Sequence, residues 1–408
     1  MTVPPTAPAS DLDEKINDTP AKRRASFHTL SVSAVRRLTE DAIEVTFAVP
    51  PALAGAFDYL PGQYVALRTT LTDEAGEPRE LRRSYSICAV PMHFADGSSE
   101  IKVAIKRDLG GLFSTWANAE LKPGDALDVM SPAGAFISKH GAKRNVMNSM
   151  NHPEQLAGTP GSYVAIAAGS GITPVISIAR TLLAADPQTR FDLVYANKAA
   201  MDVMFLEELA DLKDRYPGRL ALHHILSREQ RIAPLMTGRI DAEKLELLLR
   251  AAIHADDIDE WFLCGPFELV QLCRDALAER GVPADRVRFE LFTTGLPDRP
   301  EGQAGRAVST DDAAESYKIT FKLDGLEGTV DSPTHARESI LNAALRVRPD
   351  VPFACAGGVC GTCRAKLVTG TVEMAENYAL EPDEVEKGYI LTCQAHPTSD
   401  AVSVDYDV

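Results

Sequence analysis

Three cysteines crowd into nine positions as Cys355-x4-Cys360-x2-Cys363, and a fourth, Cys393, follows 30 positions later. The residues between them are Ala356, Gly357, Gly358, Val359, Gly361 and Thr362. Side chains this small let a loop wrap an inorganic centre closely, with backbone N–H groups aimed at sulfur, and such hydrogen bonds tune a reduction potential. A structural zinc site usually draws on two separated short cysteine pairs, whereas here three cysteines share one glycine-rich loop and the fourth is distant. The spacing therefore favours a [2Fe–2S] cluster held by Cys355, Cys360, Cys363 and Cys393, with zinc or four unrelated thiols as the alternatives.

The chain has seven cysteines, the others being Cys88, Cys264 and Cys273. An odd number gathered at one end is not a secreted disulfide framework, and it points to a reducing, cytoplasmic setting. With 42 Lys and Arg against 58 Asp and Glu, the 408 residues carry a net charge of −16. A chain this acidic is a poor match for nucleic acid or an anionic membrane. No apolar run approaches the roughly 18 residues of a membrane span, and residues 1–26 lack the apolar core of a secretory signal. At 45% hydrophobic and 25% charged, the composition is that of a globular protein with room for two to four domains.

Residues 1–26 read as a disordered arm. From 27 to 137, short alternating runs (Thr29–Val35, Ala42–Val49, Gln63–Leu71, Arg83–Val90, Ile101–Lys106, Ala126–Met130) predict an antiparallel β-barrel. Residues 138–161 read as a long inter-domain loop. From 162 to 295, strand, glycine turn and helix recur, with strands at Tyr163–Ala167, Phe191–Tyr195, Leu220–Leu226, Trp261–Leu263 and Val287–Phe292. That rhythm predicts an α/β doubly wound parallel sheet. Residues 296–315 read as a linker, and 316–408 as a compact unit carrying the cysteines.

The segment from Val351 to Gln394 resembles a plant-type ferredoxin, which implies an α+β β-grasp fold and one-electron transfer. The barrel motif Arg83-Ser84-Tyr85-Ser86 offers a phosphate partner, a stacking ring and small hydroxyls. It resembles the R-x-Y-[ST] flavin motif of ferredoxin–NADP reductase-like enzymes, which places Tyr85 against the isoalloxazine and Ser86 near the flavin N5. Gly110, Gly111 and Ser114 open a short helix whose amides suit an anion. They resemble the second flavin-phosphate contact of that family and favour FAD over FMN.

Gly169-Ser170-Gly171-Ile172-Thr173-Pro174 follows an apolar strand, and Pro174 suits a first helical turn. Without a third glycine the general dinucleotide fingerprint is incomplete, but the run resembles the G-x-G-x-x-P loop of the same reductases. Cys264, Gly265 and Pro266 end another strand of the sheet and resemble the family's turn near the nicotinamide. Ser227 and Arg228, with Arg231 assisting, sit where a strand end can hold an adenosine 2′-phosphate, which predicts NADPH. Phe292 resembles the aromatic that ends this domain and covers the flavin or nicotinamide. The resemblance thus implies Tyr85, Ser86, Cys264 and Phe292 as the residues nearest the chemistry.

The order flavin barrel, nucleotide domain, ferredoxin resembles oxygenase reductases and implies electron flow from NADPH through FAD and the cluster to an external oxygenase. Tyr195–Lys198, Phe289–Phe292, Gly357–Lys366 and the tail from Glu376 are most similar to reductase subunits of the phenylacetyl-CoA 1,2-epoxidase kind, implying a diiron partner. Reductases of a ketosteroid hydroxylase, a hybrid-cluster protein or an aromatic-ring dioxygenase are the competing enzymes. A non-enzymatic iron–sulfur redox sensor is the competing class. Residues 316–408 hold 8 basic and 14 acidic side chains, an excess that predicts an acidic docking face on the ferredoxin unit.

Overall fold

In the computed structural model, residues 27–72, 76, 78–108, 111–134, 136–139, 161–251, 253, 258–292, 315–323, 325–348, 351–353, 361–375, 377, 380 and 382–407 are described. The arm at 1–26, most of the 138–161 loop and most of the 296–315 linker lie outside them.

Alternation of apolar and polar residues turns the first part of the chain into a seven-stranded antiparallel sheet. Its strands are β1 (Phe27–Thr39), β2 (Ala42–Val49), β3 (Tyr64–Thr72), β4 (Pro78–Ser86), β5 (Met92–His93), β6 (Ser99–Lys106) and β7 (Ala126–Met130), in the order β4-β3-β7-β1-β2-β6-β5. A bridge from Ile87 to Val103 joins the end of β4 to β6 and curls the sheet. Inward-facing Leu30, Val45, Phe47, Leu67 and Val129 fill the interior, and helix α1 (Leu112–Glu120) adds Phe113 and Ala117. The flavin motif expected at the start of a strand over Arg83–Val90 instead closes β4, because the strand begins at Pro78 and ends at Ser86.

The second unit is a parallel sheet of β8 (Ser162–Ala168), β9 (Arg190–Asn197), β10 (Leu220–Leu226), β11 (Glu260–Gly265) and β12 (Val287–Leu291), in the order β10-β9-β8-β11-β12. Helices α2 (Ile172–Ala185), α3 (Leu206–Arg215), α4 (Ala242–Ala251) and α5 (Phe267–Glu279) connect its strands. The first strand lies in the middle, so the chain leaves it in opposite directions and a crevice opens at the carboxyl ends of β8 and β11. The fully buried β11 carries Trp261, Phe262 and Leu263 between those neighbours.

One apolar cluster crosses from the barrel into this unit, combining Ala42, Cys88, Ala104 and Phe136 with residues such as Ile176, Phe191 and Phe262. Phe136 meets Phe262 edge-on with ring centroids 5.7 Å apart. The two units are packed as one body through this shared core.

The last unit is a mixed sheet of β13 (Ser316–Leu323), β14 (Leu326–Pro333), β15 (Arg364–Thr369), β17 (Tyr389–Leu391) and β19 (Ala401–Asp405), in the order β14-β13-β19-β15-β17. A two-stranded ribbon of β16 (Val372–Met374) and β18 (Ala395–Pro397) flanks it. Helix α6 (Ile340–Leu345) is capped by the Ser339 hydroxyl and buries Ile340, Leu341, Ala343 and Ala344 on the sheet, while α7 spans Pro382–Glu386. Its core is separate from those of the first two units. No helix among the described residues is long and apolar enough to cross a membrane.

Candidate active site and cluster loop

Strand β4 presents the flavin motif in register with β3, through the pairs Leu67–Arg83, Ala66–Ser84, Val65–Tyr85 and Tyr64–Ser86. Side chains alternate along a strand, so Ser84 and Ser86 share one face and Tyr85 takes the other. The half-buried Tyr85 ring lies against Phe113 at 5.8 Å and is tilted 32°. Burial pushes its phenol above the usual tyrosine range, with Arg83 opposing the shift. Arg83 donates from Nη1 to the carbonyl of Arg82 at 2.8 Å.

Ser86 is buried and donates to Oε2 of Glu290 at 3.2 Å. Glu290 is on β12, directly across from Cys264 on β11. The Cys264 thiol is pushed well up by burial first and by Glu290 second, so it stays protonated at neutral pH. Phe292 follows β12 and donates its amide to the Gly265 carbonyl at 2.9 Å. The structure therefore sets Ser86 and Cys264 beside a carboxylate that the motifs alone did not single out, with Phe292 just beyond it in the chain. No local pattern marks Glu290, which alternates with the apolar residues of β12 just as Arg288 does.

Two loops meet at the crevice of the parallel sheet. Gly169 has a φ of +54°, and a Cβ built there would meet nothing within 4 Å, leaving open space for a phosphate to approach the backbone. Gly171 is the opposite case, since a Cβ there would press on the carbonyl oxygen of Cys264. The first glycine leaves room for ligand and the second packs two loops together. Thr173 donates to the carbonyl of Ser170 at 3.0 Å, and Pro174 is buried in the first turn of α2. These features fit a pyrophosphate at a helix N-terminus.

Farther along the edge, Ser227 and Arg228 anchor their amides on the carbonyls of Asn197 and Lys198. The side chains of Arg228 and Arg231 are exposed, as a phosphate clamp would need. Gly110 lies outside the described residues. Gly111 caps α1, and Ser114 is buried with its hydroxyl turned inward, accepting from the amide of Asp108 at 3.0 Å. An anion at this turn would meet backbone amides before it met that hydroxyl.

Cys355 and Cys360 also lie outside the described residues, and among the described residues no group of three metal-binding side chains forms. Cys363 and Cys393 are both buried in the ferredoxin core, and neither is in a disulfide. The amide and hydroxyl of Thr392 both donate to the Cys363 carbonyl, at 3.1 and 2.9 Å, tying the two cysteine segments together. Burial, with the two thiols adding to it, raises the phenol of Tyr406. Two buried thiols on segments tied by Thr392 suit an iron–sulfur cluster. Cys88 and Cys273 are core residues, with the Cys88 thiol donating to the Lys102 carbonyl at 3.3 Å.

The Ser84 hydroxyl lies 3.4 Å from that of Thr362, the neighbour of Cys363. Thus the flavin strand touches the nucleotide sheet through Ser86 and the cysteine loop through Ser84.

Comparison with known proteins finds the same three kinds of domain in the chain. Residues 29–137 match the oxidoreductase FAD-binding domain family, 165–275 the oxidoreductase NAD-binding domain family, and 321–398 the 2Fe-2S iron-sulfur cluster binding domain family. The chain is 40% identical over 382 residues to a component of the 1,2-phenylacetyl-CoA epoxidase of Escherichia coli (strain K12), covering 94% of this chain and 98% of that protein. It is 35% identical over 378 residues to the ferredoxin reductase component of the 3-ketosteroid-9-alpha-monooxygenase of Rhodococcus rhodochrous, covering 92% and 96%. In fold, it resembles the flavohem-like FAD/NAD binding domain of nitric oxide dioxygenase from Vibrio cholerae O1 biovar El Tor, with a TM-score of 0.50 and 23% identity over 66% of this chain and 98% of that one. The chain belongs to the ferredoxin–NADP reductase-like oxidoreductases that carry a C-terminal 2Fe-2S ferredoxin domain and serve as reductase components of multicomponent oxygenases.

Proposed function

We propose that this reductase takes electrons from NADPH and delivers them, by way of FAD and the [2Fe–2S] cluster, to a diiron oxygenase of the phenylacetyl-CoA 1,2-epoxidase type. The observation that carries the electron order is the position of β4, with Ser86 bonded to Glu290 of the nucleotide sheet and Ser84 beside Thr362 of the cysteine loop. When bound, FAD supplies two-electron acceptance with one-electron release, and the cluster supplies single-electron transfer.

The chain's own residues arrange this chemistry. Tyr85 and Arg83 hold the flavin, with the Gly111 turn at its phosphates. Gly169 and the start of α2 receive the pyrophosphate, while Ser227, Arg228 and Arg231 clamp the 2′-phosphate. Cys264 and Phe292 bound the nicotinamide, and the neutral Cys264 thiol keeps a second negative charge away from Glu290. Ser86 and Glu290 orient the reacting edge, with the Ser86 hydroxyl holding its proton toward the Glu290 carboxylate. Cys355, Cys360, Cys363 and Cys393 hold the cluster. The acidic ferredoxin unit presents the docking face.

The acceptor is supported by the relative at 40% identity. The test is reconstitution of the purified protein with either a phenylacetyl-CoA epoxidase oxygenase component or a ketosteroid hydroxylase oxygenase component. Product from phenylacetyl-CoA at a rate well above that from the steroid is expected. The reverse order would reassign the acceptor. Turnover should also fall steeply with salt, and a salt-independent rate would remove the acidic docking face.

A further inference from the structure

Helix α7 sends Glu384 into the seam between the flavin barrel and the ferredoxin unit, where it is buried. Its Oε1 accepts from Nη2 of Arg82 at 3.0 Å and from Nη1 of Arg364 at 3.1 Å. Arg82 lies on β4, immediately before the flavin motif. Arg364 opens β15, immediately after the cluster ligand Cys363. One carboxylate oxygen therefore joins the flavin strand to the cluster segment.

We propose that Glu384 is the positioning residue that holds the cluster-bearing unit on β4 in the pose for flavin-to-cluster electron transfer. This rests on the electron order proposed above, in which one electron lost at the flavin is one gained at the cluster. All three side chains are largely withdrawn from water, at 12%, 11% and 19% exposure for Arg82, Glu384 and Arg364. Without the carboxylate, two guanidinium groups would face one another in a dry seam, which drives the surfaces apart. Each arginine is also steadied by a ring: Arg364 lies 4.1 Å over Tyr389 and Arg82 lies 5.2 Å from Phe27. The clamp thus joins two preset cations.

The kind of interface supports the same assignment. The barrel and nucleotide units share a continuous apolar cluster, whereas the ferredoxin core takes in none of their described residues. Among the described residues, the contacts that cross to the ferredoxin unit include this ion trio and the Ser84–Thr362 contact, both polar. Polar seams of this sort set a pose without fusing the domains, so a partner can compete for the released face.

The test uses the full-length holoprotein and the substitution Arg82→Met, which leaves the Glu384–Arg364 pair intact inside the ferredoxin unit. Anaerobic rapid mixing with NADPH separates flavin bleaching from the later cluster signal, and small-angle X-ray scattering of the oxidised, nucleotide-free protein reports domain separation. Flavin bleaching should proceed at the parent rate, and cluster reduction should slow by on the order of ten- to a hundredfold, the scale at which small misplacements act. Scattering should show a larger radius of gyration. Slow cluster reduction in an unexpanded molecule also supports the clamp, as misplacement within the seam. Parent-rate cluster reduction overturns it whatever the scattering shows.

Glu384→Gln should behave as Arg82→Met does, with the double variant no worse than either single change. Additive losses in the double variant would break the proposed link. If Glu384→Gln loses iron, Arg82→Met decides alone. A parent protein whose cluster is never reduced after its flavin would instead remove the electron order itself.

Discussion

Ser86 of the barrel and Glu290 of the nucleotide sheet are joined by a 3.2 Å hydrogen bond across the seam of their units. The same carboxylate lies opposite Cys264 in the strand register, so barrel and sheet converge on one polar point. Glu290→Gln and Ser86→Ala are each expected to slow NADPH-driven flavin bleaching on the order of a hundredfold, the scale at which a lost positioning contact acts. Nucleotide affinity should stay near that of the parent. Stopped-flow measurement over a range of NADPH concentrations separates the two effects, and a change confined to affinity would move Glu290 out of the reacting site.

Cys393→Ser should remove the cluster while leaving the flavin half intact, because its core is separate from the shared barrel–nucleotide core. Cytochrome c reduction should disappear and ferricyanide reduction should persist. Loss of both would mean that electrons cannot leave from the flavin without the cluster.

Arg228 is exposed at the end of β10 and anchored through its backbone amide on Lys198. Arg228→Ala should raise KM for NADPH about tenfold, or roughly 1.4 kcal/mol, and leave KM for NADH nearly unchanged. Steady-state kinetics with both nucleotides check this, and equal effects would exclude a 2′-phosphate contact.

Burial pushes the Cys273 thiol up to about 12, and the Cys88 and Cys264 thiols also shift upward. An unfolded thiol ionises near ~8.5, so these groups leave stability unchanged below that pH. Above it the unfolded chain sheds protons that the folded chain keeps, and stability falls until the folded value is reached. Urea midpoints at neutral pH and at about pH 10 should show this decline, with a slope of up to ~1.4 kcal/mol per pH unit for each thiol. Cys273→Ala should flatten it by one thiol's share. An unchanged slope would place that thiol in contact with water.

Much of this architecture is legible in the sequence because it is written in local patterns. The expected strands Ala42–Val49, Ala126–Met130 and Leu220–Leu226 coincide with β2, β7 and β10, whose alternating or continuous apolar runs leave one solution. Gly169 and Gly171 are recognisable as a pair, but only the packing separates the open one from the one against Cys264. Glu290 and Glu384 escape a sequence reading for a different reason. Their partners Ser86 and Arg82 lie 204 and 302 positions away, and a polar contact at such separation leaves no periodicity to read. Ser114 offers a hydroxyl to a ligand on sequence grounds, and the fold turns it onto its own loop through Asp108.

The ferredoxin sheet has a consequence for how the protein is made. Its central strand, β19, pairs in parallel with β13 and antiparallel with β15, although it is the last of the described strands in the chain. The two cysteines tied by Thr392 therefore gain a finished sheet around them only after Asp405 has been synthesised. The barrel and nucleotide units, complete by Phe292, can fold while later residues are still emerging. Cluster insertion can thereby follow assembly of the nucleotide-handling half.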